Sequence, residues 1–496
     1  MQKLTLYVKC ADNALKGNDK VRISSGTLTL IARKGDGIKT SNTALSSKGN
    51  QKGSVSVEGG VLNIYAACDG IDAAFDALVT GGTVNIYTDK YSEYSETVTV
   101  SAANEFYIRS LNTAYKYSAY FFNTETDGVW VNFPESYKKV SAGFQTYYFY
   151  QTERLTGYSY VRIYVYSSGQ SQGQADSYYR VSEKMTLTAD YDTVAFGSSK
   201  GGRPGGATTE TFSFTNYSSS SQGGGGFGGN DGNKDKGAYS TKGIKAGNSI
   251  EISGGTLTIC SYDDALHAGT DTTMESGVTP TGNVTVSGGD LTLSSNDDAL
   301  HADGKAAVLD GSIRVLQSYE GIEGQTIEIA GGNVSVISSD DGLNGTVASG
   351  TGITVSGGTL YVLAGGDGVD ANSQTSYGGI LFSGGYSVIL STGKSDSSID
   401  SERGYKYSGG YVLGIGLSGG MGSEAANCQS LASYGRTATL SLSQGNYLTV
   451  SGMASVKIPT SMSALVVVLG STSASISSAS SGLGTADSNG VCWLVK

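Results

Sequence analysis

Acidic side chains recur at one position of a repeated pattern, in the order acid, small residue, aliphatic residue, polar residue. Asp264–His267 and Asp298–His301 both read DALH. Carboxylates that recur at a fixed repeat position are candidate ligands for hard divalent cations, since Ca²⁺ takes six to eight oxygens from carboxylates, carbonyls and water. We call this position the first column, and its acids in chain order are Asp264, Asp298, Glu320, Asp341 and Asp367.

Two further columns accompany the first. The second column lies three residues later and the third column one residue earlier. If successive repeats stack about 4.8 Å apart, neighbouring carboxylates repel each other by about 3.5 kcal/mol at an effective dielectric of 20. Several bound Ca²⁺ ions would relieve this repulsion, whereas solvent exposure with hydrogen bonds to the turn backbone is the alternative. The second column reads His267, His301, Glu323, Asn344, Asp370 and Asp400, and the third reads Asp263, Asp297 and Asp340.

The two histidines of the chain both belong to the second column. They are either polar residues satisfied by neighbouring acids or groups with a sugar-contact or acid–base role. A zinc site is not expected at His267 and His301, because neither a thiolate nor a third histidine accompanies them.

The acids belong to a repeat that dominates the sequence. Its clearest copies are Ser249–Ala268, Asn283–Ala302, Thr326–Asn344 and Gly352–Asp370, in which two short strands flank a Gly-Gly corner. Apolar residues alternate with period two, which predicts strands with one buried face. The shortest step between copies is 21–22 residues, which is typical of one coil of a parallel β-helix with loops inserted at one corner. Degenerate copies near the start, Val21–Lys39 and Gly53–Asp72, predict the same architecture there.

The composition divides the chain into five segments. Segment 99–197 contains 23 of the 46 aromatic residues and predicts an inserted, Tyr-rich, β-sandwich-like domain. Its tyrosines either stack on sugars or form a β core with hydroxyl groups at the edge. The predicted segments are 1–98, N-terminal coils; 99–197, the insertion; 198–240, a Gly/Ser-rich linker or loop; 241–416, the main coils with the acidic columns; and 417–496, a β-rich cap.

The charge and hydropathy narrow the classes of partner. A net charge of −11 makes nucleic acids and anionic membranes poor partners. The chain contains no run of 18 apolar residues, so no membrane-spanning helix is expected. The first residues lack the pattern of a secretion signal, so the protein either is not exported by that route or has lost its leader. We expect a monomer whose five cysteines are mostly small buried residues, with at least one free thiol.

The repeated units resemble a family of extracellular bacterial carbohydrate-binding proteins. The resemblance rests on units such as ISGGTLTI…DDALHA and, at Val57–Ala73, VEGGVLNIYAACDGIDA, and it covers roughly Lys3–Asp89 and Lys242–Gly416. It implies a right-handed, pectate-lyase-like parallel β-helix, bound Ca²⁺ and affinity for cellulose-like or acidic plant polysaccharides. It also implies a secreted or cell-surface location. The calcium ligands that it implies are Asp263, Asp264, Asp297, Asp298, Asp340, Asp341, Asp367, Asp370, Asp69 and Asp72, with Glu320 and Glu323 as longer variants that tune or lose a site.

Three functions follow as hypotheses. The first is a non-catalytic, calcium-dependent binder of plant cell-wall polysaccharide, with no catalytic residue and with sugar-contact residues that the sequence does not identify. The second is a polysaccharide lyase, which needs a Lys or Arg beside the metal to abstract a proton. Its candidates Lys39, Lys245 and Arg314 do not pair with a strongly acidic repeat, since Lys242 occupies the acid position before Lys245. The third is a surface adhesin with the repeats as a stalk.

Overall fold

The computed structural model is all-β and forms two compact units. It describes residues 4–88, 105–110, 113, 115–124, 128–142, 145–153, 155, 157–167, 170–173, 180–182, 184–187, 193–199, 209–215 and 240–494. One unit comprises residues 1–96 and 232–496 and the other comprises residues 97–231. Helical structure in the described residues is confined to α1 (Leu431–Tyr434) and a 3₁₀ segment (Gly420–Ala426). No described helix is long and apolar enough to cross a membrane.

The first block of repeats contributes ten short strands. Their buried positions alternate with exposed or half-buried ones, as the period-two pattern predicts. The strands are β1 (Thr5–Cys10), β2 (Leu15–Lys16), β3 (Lys20–Ile23), β4 (Thr27–Ala32), β5 (Ile38–Lys39), β6 (Ser54–Val57), β7 (Val61–Ala66), β8 (Ile71–Ala73), β9 (Asp76–Val79) and β10 (Thr83–Thr88).

The second unit contains two mainly antiparallel sheets. Its strands are β11 (Glu105–Ser110), β12 (Lys116–Phe122), β13 (Val129–Asn132), β14 (Lys138–Ala142), β15 (Gln145–Glu153), β16 (Tyr160–Tyr166), β17 (Arg180–Val181), β18 (Met185–Thr186), β19 (Thr193–Ser199) and β20 (Thr209–Thr215). One sheet has the order β14-β15-β11-β19-β20, and the other has β13-β12-β16-β17 with β18 beside β16. Phe106 and Tyr150 of the first sheet share one buried cluster with Phe121 and Ile163 of the second.

The second block of repeats continues the first block strand for strand. Its strands are β21 (Ile244–Ala246), β22 (Ser249–Cys260), β23 (Leu266–Ala268), β24 (Asn283–Ser294), β25 (Leu300–Gln317), β26 (Ile322–Ile329), β27 (Asn333–Ile337), β28 (Leu343–Gly345), β29 (Ile353–Val355), β30 (Thr359–Ala364), β31 (Val369–Ala371), β32 (Ile380–Ser391), β33 (Asp400–Ser401) and β34 (Lys406–Leu417). Although a separate unit lies between the blocks, β8 pairs directly with β21, and both β9 and β10 pair with β22, all in parallel.

Every repeat pairs in parallel with the next repeat along three ladders. One ladder begins β3-β6-β9-β22, a second begins β1-β4-β7-β10-β22, and a third begins β2-β5-β8-β21-β23. The third ladder continues through β25, β26, β28 and β31 to β33. Because the side chains of paired residues lie above one another, each repeat position becomes a continuous column of side chains.

Aliphatic residues between the polar columns hold the register of the third ladder. These residues, predicted to point inward, are all fully buried: Leu266, Leu300, Ile322, Leu343 and Val369. The Gly-Gly corners pack backbone against backbone. At Gly255, φ is +96°, and a Cβ would lie 2.9 Å from the carbonyl oxygen of Gly82 in the preceding repeat, so only glycine fits there.

The C-terminal segment covers the last repeat with antiparallel strands. They are β35 (Gly435–Leu442), β36 (Tyr447–Val450), β37 (Ala454–Lys457), β38 (Met462–Leu469), β39 (Ile476–Ala479) and β40 (Val491–Trp493). Strand β38 pairs with β34 and with β35, which satisfies the backbone groups of what would otherwise be an open edge. A second core cluster joins residues of β34, such as Leu413, to Val466 of β38.

Two expectations need correction. The predicted linker 198–240 contains β20, which pairs antiparallel with β19 because Phe212 and Phe214 supply the alternating apolar pattern of a strand; positions 200–208 and 216–239 lie outside the described residues. All five cysteines are free, but only Cys428 and Cys492 are buried. The expectation of burial is therefore wrong for Cys10, Cys68 and Cys260, which lie at the ends of strands or in turns.

Candidate functional site

The third ladder brings the second column into exact pairing register. The observed order extends the predicted column towards the N-terminus, where Asp72 lies among three lysines. The paired positions run Lys16, Lys39, Asp72, Lys245, His267, His301, Glu323, Asn344, Asp370 and Asp400. The column therefore changes from basic to acidic along the repeats.

Carboxylates of the first column accept hydrogen bonds from backbone N–H groups of the next repeat. One carboxylate oxygen of Asp264 accepts the N–H of Asp298 at 3.1 Å, and one of Asp341 accepts the N–H of Asp367 at 2.7 Å. Asp69 likewise accepts the N–H of Lys242 at 2.8 Å. The hydrogen bonds to backbone that the sequence offered as an alternative to calcium thus occupy one oxygen of each of these acids, and the second oxygen of Asp264 contacts His267 and Lys242.

An aromatic residue interrupts the third column. Tyr319 donates its N–H to the carbonyl of Asp297, and Asp340 donates its N–H to the carbonyl of Tyr319, so the tyrosine lies between the two acids. The sequence hypothesis did not include Tyr319. Its side chain keeps two like charges from occupying adjacent positions of this column.

Lysine and histidine side chains neutralise the acids of the earlier repeats. Lys39 bridges Asp36 and Asp72. The buried Lys242 ammonium lies 2.6 Å from Asp263 and 2.9 Å from Asp264. We call the acids in contact with such cations the paired acids; they are Asp36, Asp72, Asp263, Asp264, Asp298, Asp303 and Glu323.

The histidines complete this pairing. Nδ1 of His267 lies 2.8 Å from Asp264, and Nδ1 of His301 lies 2.8 Å from both Asp298 and Glu323. Burial alone would raise the pKa of Asp264, but the contacts with His267 and Lys242 outweigh burial and hold that pKa well below its usual range. Burial would lower the pKa of His301, yet its carboxylate partners raise it to about 12.

The later repeats contain half-buried or buried acids without a cation. We call Glu320, Asp341, Asp367, Asp370 and Asp400 the unpaired acids, because no Lys, Arg or His of the described chain forms an ion pair with them. Burial is the main cause of their raised pKa values, and neighbouring carboxylates add to it in each case. The pKa is raised to about 8 for Glu320, about 9 for Asp341, about 7 for Asp367, about 6 for Asp370 and about 8 for Asp400.

Four groups of three ligand atoms lie close enough to hold a metal ion, with all three atoms within 4.8 Å of one another. In the described part of the chain these groups are Asp36/Asp69/Asp72, Asp263/Asp264/Asp297, Asp264/His267/His301 and Asp298/His301/Glu323. The predicted ligands Asp340, Asp341, Asp367 and Asp370 stack on neighbouring repeats but form no such group among the described residues. Ca²⁺ there would draw further ligands from backbone carbonyls and water.

A cavity of about 320 Å³ lies beside the first of these groups. It is lined by the carboxylates of Asp36, Asp69 and Asp72 and by the ammonium groups of Lys39 and Lys245. Contacts with Asp36 and Asp72 raise the pKa of Lys39 far above its usual value although burial opposes this, so Lys39 is firmly protonated. Arg314, the third basic candidate, lies in β25 on a different ladder.

Three residues of these clusters escaped the sequence interpretation for different reasons. Asp36 lies in the degenerate copy Val21–Lys39 but was not in the ligand set. Lys242 was read as a gap in the acidic column, whereas its ammonium supplies the missing charge. Asp303 contacts Nε2 of His301 at 3.2 Å. The signal for Asp303 was available, because residues i and i+2 of a strand point to the same face.

The described tyrosines of the Tyr-rich unit include core residues, as one of the two sequence hypotheses predicts. Tyr117 and Tyr166 are fully buried and belong to the core. Trp130 is half-buried and lies 5.0 Å from the ring of Tyr120 and 4.6 Å from that of Tyr164. These rings are tilted by 43° and 54° to each other, so they do not form one flat surface for a sugar ring.

Comparison with known proteins gives one match. A family model described as a carbohydrate-binding domain-containing protein matches residues 1–118 and 207–282. No curated protein and no solved structure matches the chain. The matched segments include the first block of repeats, Lys242, Asp264 and His267, and they end before the unpaired acids. The match supports carbohydrate binding and a polysaccharide partner for this chain.

Proposed function

We propose that this chain is a non-catalytic, calcium-dependent binder of plant cell-wall polysaccharide, acting as a secreted or cell-surface protein. The three parallel ladders would be the faces of a right-handed β-helix. The match of residues 1–118 and 207–282 to a carbohydrate-binding family carries the proposal. The calcium requirement rests on a separate feature, the unpaired acids, which lie outside the matched segments.

The unpaired acids suit Ca²⁺ because of their charge and their surroundings. Asp341, Asp367 and Asp370 are held by consecutive repeats, with backbone contacts that fix Asp341 and Asp367 in place. Burial and neighbouring carboxylates raise their pKa values, and no Lys, Arg or His of the described chain forms an ion pair with them. Carboxylates, carbonyls and water are the ligands of Ca²⁺. At the paired acids, by contrast, lysine and histidine already occupy the position of a cation.

An acidic polysaccharide fits the same feature. Ca²⁺ held by the unpaired acids would keep coordination positions for a uronate carboxylate, so the ion would join two anionic surfaces that otherwise repel each other. Many weak contacts along successive repeats would add up through multivalency. Polygalacturonate is therefore the first ligand to test, with cellulose as the neutral comparison.

The test measures retention on the polysaccharide and turnover in the same samples. Protein is incubated with polygalacturonate or cellulose at about 1 mM Ca²⁺ or with a chelator, and unsaturated products are followed by absorbance. We expect retention on polygalacturonate with Ca²⁺, loss of retention with chelator, and constant absorbance. An Asp341→Asn/Asp367→Asn variant should lose calcium-dependent retention. The matched control Asp290→Asn/Asp310→Asn changes two exposed acids outside the columns and should bind normally.

A polysaccharide lyase is the second candidate, favoured by the cavity beside Asp36, Asp69 and Asp72. A metal held there would lie next to Lys245, for which the described contacts include no ion pair. Lys39 is a poor base because two carboxylates hold its proton. Rising absorbance that disappears in Lys245→Met would establish the lyase and overturn the non-catalytic proposal. Retention that is equal with Ca²⁺ and chelator would instead remove the calcium requirement.

A further inference from the structure

A tyrosine occupies a backbone conformation that normally belongs to glycine. Tyr377 has a φ of +49°, and among the described residues Ser430 is the one other non-glycine residue with a positive φ. Tyr377 is the third residue of a turn, which is closed by a 2.8 Å hydrogen bond from the N–H of Gly378 to the carbonyl of Thr375. Glycine or asparagine fits this position of a turn without strain, whereas a bulky side chain does not. Backbone strain of this kind persists where the surrounding structure holds it, and it clusters at functional sites.

The loop that carries Tyr377 is fixed by the loops of both neighbouring repeats. Towards the preceding repeat, the hydroxyl group of the fully buried Ser373 donates to the carbonyl of Gly350 at 2.7 Å. The hydroxyl oxygen of Thr375 accepts the N–H of Gly350 at 2.8 Å. Towards the following repeat, the N–H of Tyr377 donates to the carbonyl of Arg403 at 3.0 Å. These contacts hold the tyrosine in its strained conformation.

The ring of Tyr377 lies against a glycine of the following repeat. A Cβ at Gly404 would lie 2.8 Å from Cδ1 and 2.9 Å from Cε1 of the ring, so the ring contacts the backbone there directly. The tyrosine is half-buried. Its hydroxyl group has no hydrogen-bond partner among the described residues and reaches solvent. An aromatic ring that is supported on one side and ends in a solvated hydroxyl group suits contact with a sugar ring, which also has apolar and polar parts.

An arginine beside this turn has no carboxylate partner although it lies in a strongly acidic part of the chain. Residues 320–424 contain eleven acids and three basic residues. Arg403 nevertheless forms no ion pair within the described chain, and its Nε donates to the neutral side-chain oxygen of Gln374 at 3.3 Å. Both residues are exposed. The terminal nitrogens of the guanidinium group are therefore available to a carboxylate, which such groups bind through two parallel hydrogen bonds.

We propose that Tyr377, Gln374 and Arg403 form a sugar-contact subsite for a uronic acid residue of the polysaccharide. The tyrosine packs against the pyranose ring, Gln374 hydrogen-bonds to a sugar hydroxyl group, and Arg403 binds the carboxylate. This inference rests on the proposed function and adds the sugar-contact residues to it. The three residues lie on loops that directly follow β31 and β33, the strands that carry the unpaired acids Asp370 and Asp400.

The experiment measures the binding of trigalacturonate and the thermal stability of the same full-chain variants. Titration calorimetry is carried out at about 1 mM Ca²⁺. Because asparagine adopts a positive φ readily, Tyr377→Asn should keep or raise the melting midpoint while the affinity falls at least about tenfold. The matched control Tyr7→Asn removes a tyrosine of β1 that is 64% exposed, and it should bind normally.

A second pair of variants tests the contact with the sugar carboxylate. Arg403→Gln should lower the affinity for trigalacturonate at least about fivefold, because it removes a charge-assisted pair of hydrogen bonds. Lys406→Gln makes the same change of charge at an exposed residue three positions away and should leave the affinity unchanged. Equal losses in the two variants would show a general electrostatic effect and would overturn the role of Arg403.

Two results for the tyrosine would overturn the subsite. The first is an affinity of Tyr377→Asn equal to that of the original chain. The second is a lower melting midpoint with unchanged affinity, which would show that the tyrosine only packs against Gly404. In both cases the original chain still binds the sugar, so the proposed function stands. Failure of the original chain to bind both trigalacturonate and polygalacturonate would instead overturn the proposed function and the subsite with it.

Discussion

The paired and the unpaired acids occupy equivalent positions of one repeat but solve the same electrostatic problem differently. Around Asp264, lysine and histidine side chains provide the positive charge within the chain. Around Asp341, burial and like charges raise the pKa to about 9, and protons or an external cation must provide that charge. Burying a carboxylate is costly unless it is paired. The repeat thus tolerates buried acids by an internal counterion in one region and by an exchangeable one in the other.

The largest expected effect comes from removing an internal counterion. Lys242→Met leaves Asp263 and Asp264 buried without their ammonium partner, and we expect a loss of about 3–5 kcal/mol in the free energy of unfolding. Lys245→Met, three residues away and with no ion pair among the described residues, is the matched control. Urea denaturation of both variants, with and without Ca²⁺, measures the difference. Equal stability of the two variants would contradict the assignment of Lys242 as the counterion.

The same substitution should act differently in the two regions. Asp264→Asn removes a charge that Lys242 and His267 need, and we expect a loss of about 2 kcal/mol at pH 7. Asp341 is largely protonated at pH 7, and an asparagine there still accepts the N–H of Asp367. We therefore expect Asp341→Asn to leave calcium-free stability unchanged or to raise it, because an asparagine takes up no proton on folding at pH 7. Comparable losses in both variants, measured by chemical denaturation, would remove the distinction.

The most gradual effect is a dependence of stability on pH. Because burial raises the pKa of Asp367 to about 7 and of Asp341 to about 9, the folded state holds protons that the unfolded chain has released. Calcium-free stability should therefore fall as the pH rises from about 5 to 9, with a slope of at most about 1.4 kcal/mol per pH unit for each acid. Thermal melts at several pH values check this, and Asp341→Asn/Asp367→Asn should flatten the trend. A midpoint that rises with pH would show that the raised pKa values are wrong.

Much of the fold followed from local periodicity. Alternating residues such as Ile250 and Ile252 fixed which side of each strand is buried, and the recurrence of one frame placed His267 above His301. Both predictions depend on contacts between equivalent positions of consecutive repeats. These positions can be identified from the amino-acid sequence alone. The predicted metal ligands remain predictions, since stacking alone does not define a coordination sphere.

By itself the sequence determined that the chain is all-β, that acids recur in columns and that aliphatic residues such as Leu266 point inward. Only the tertiary structure decided which acids have counterions. Lys242 meets Asp69 although 172 residues and a separate unit lie between them, and Asp303 is fixed by Thr270 of the preceding repeat. Charge pairing depends on side-chain reach across repeats and around loops of unequal length. The order of residues determines the period of the repeat, but an ion pair also requires its two charged groups to lie within about 4 Å of each other.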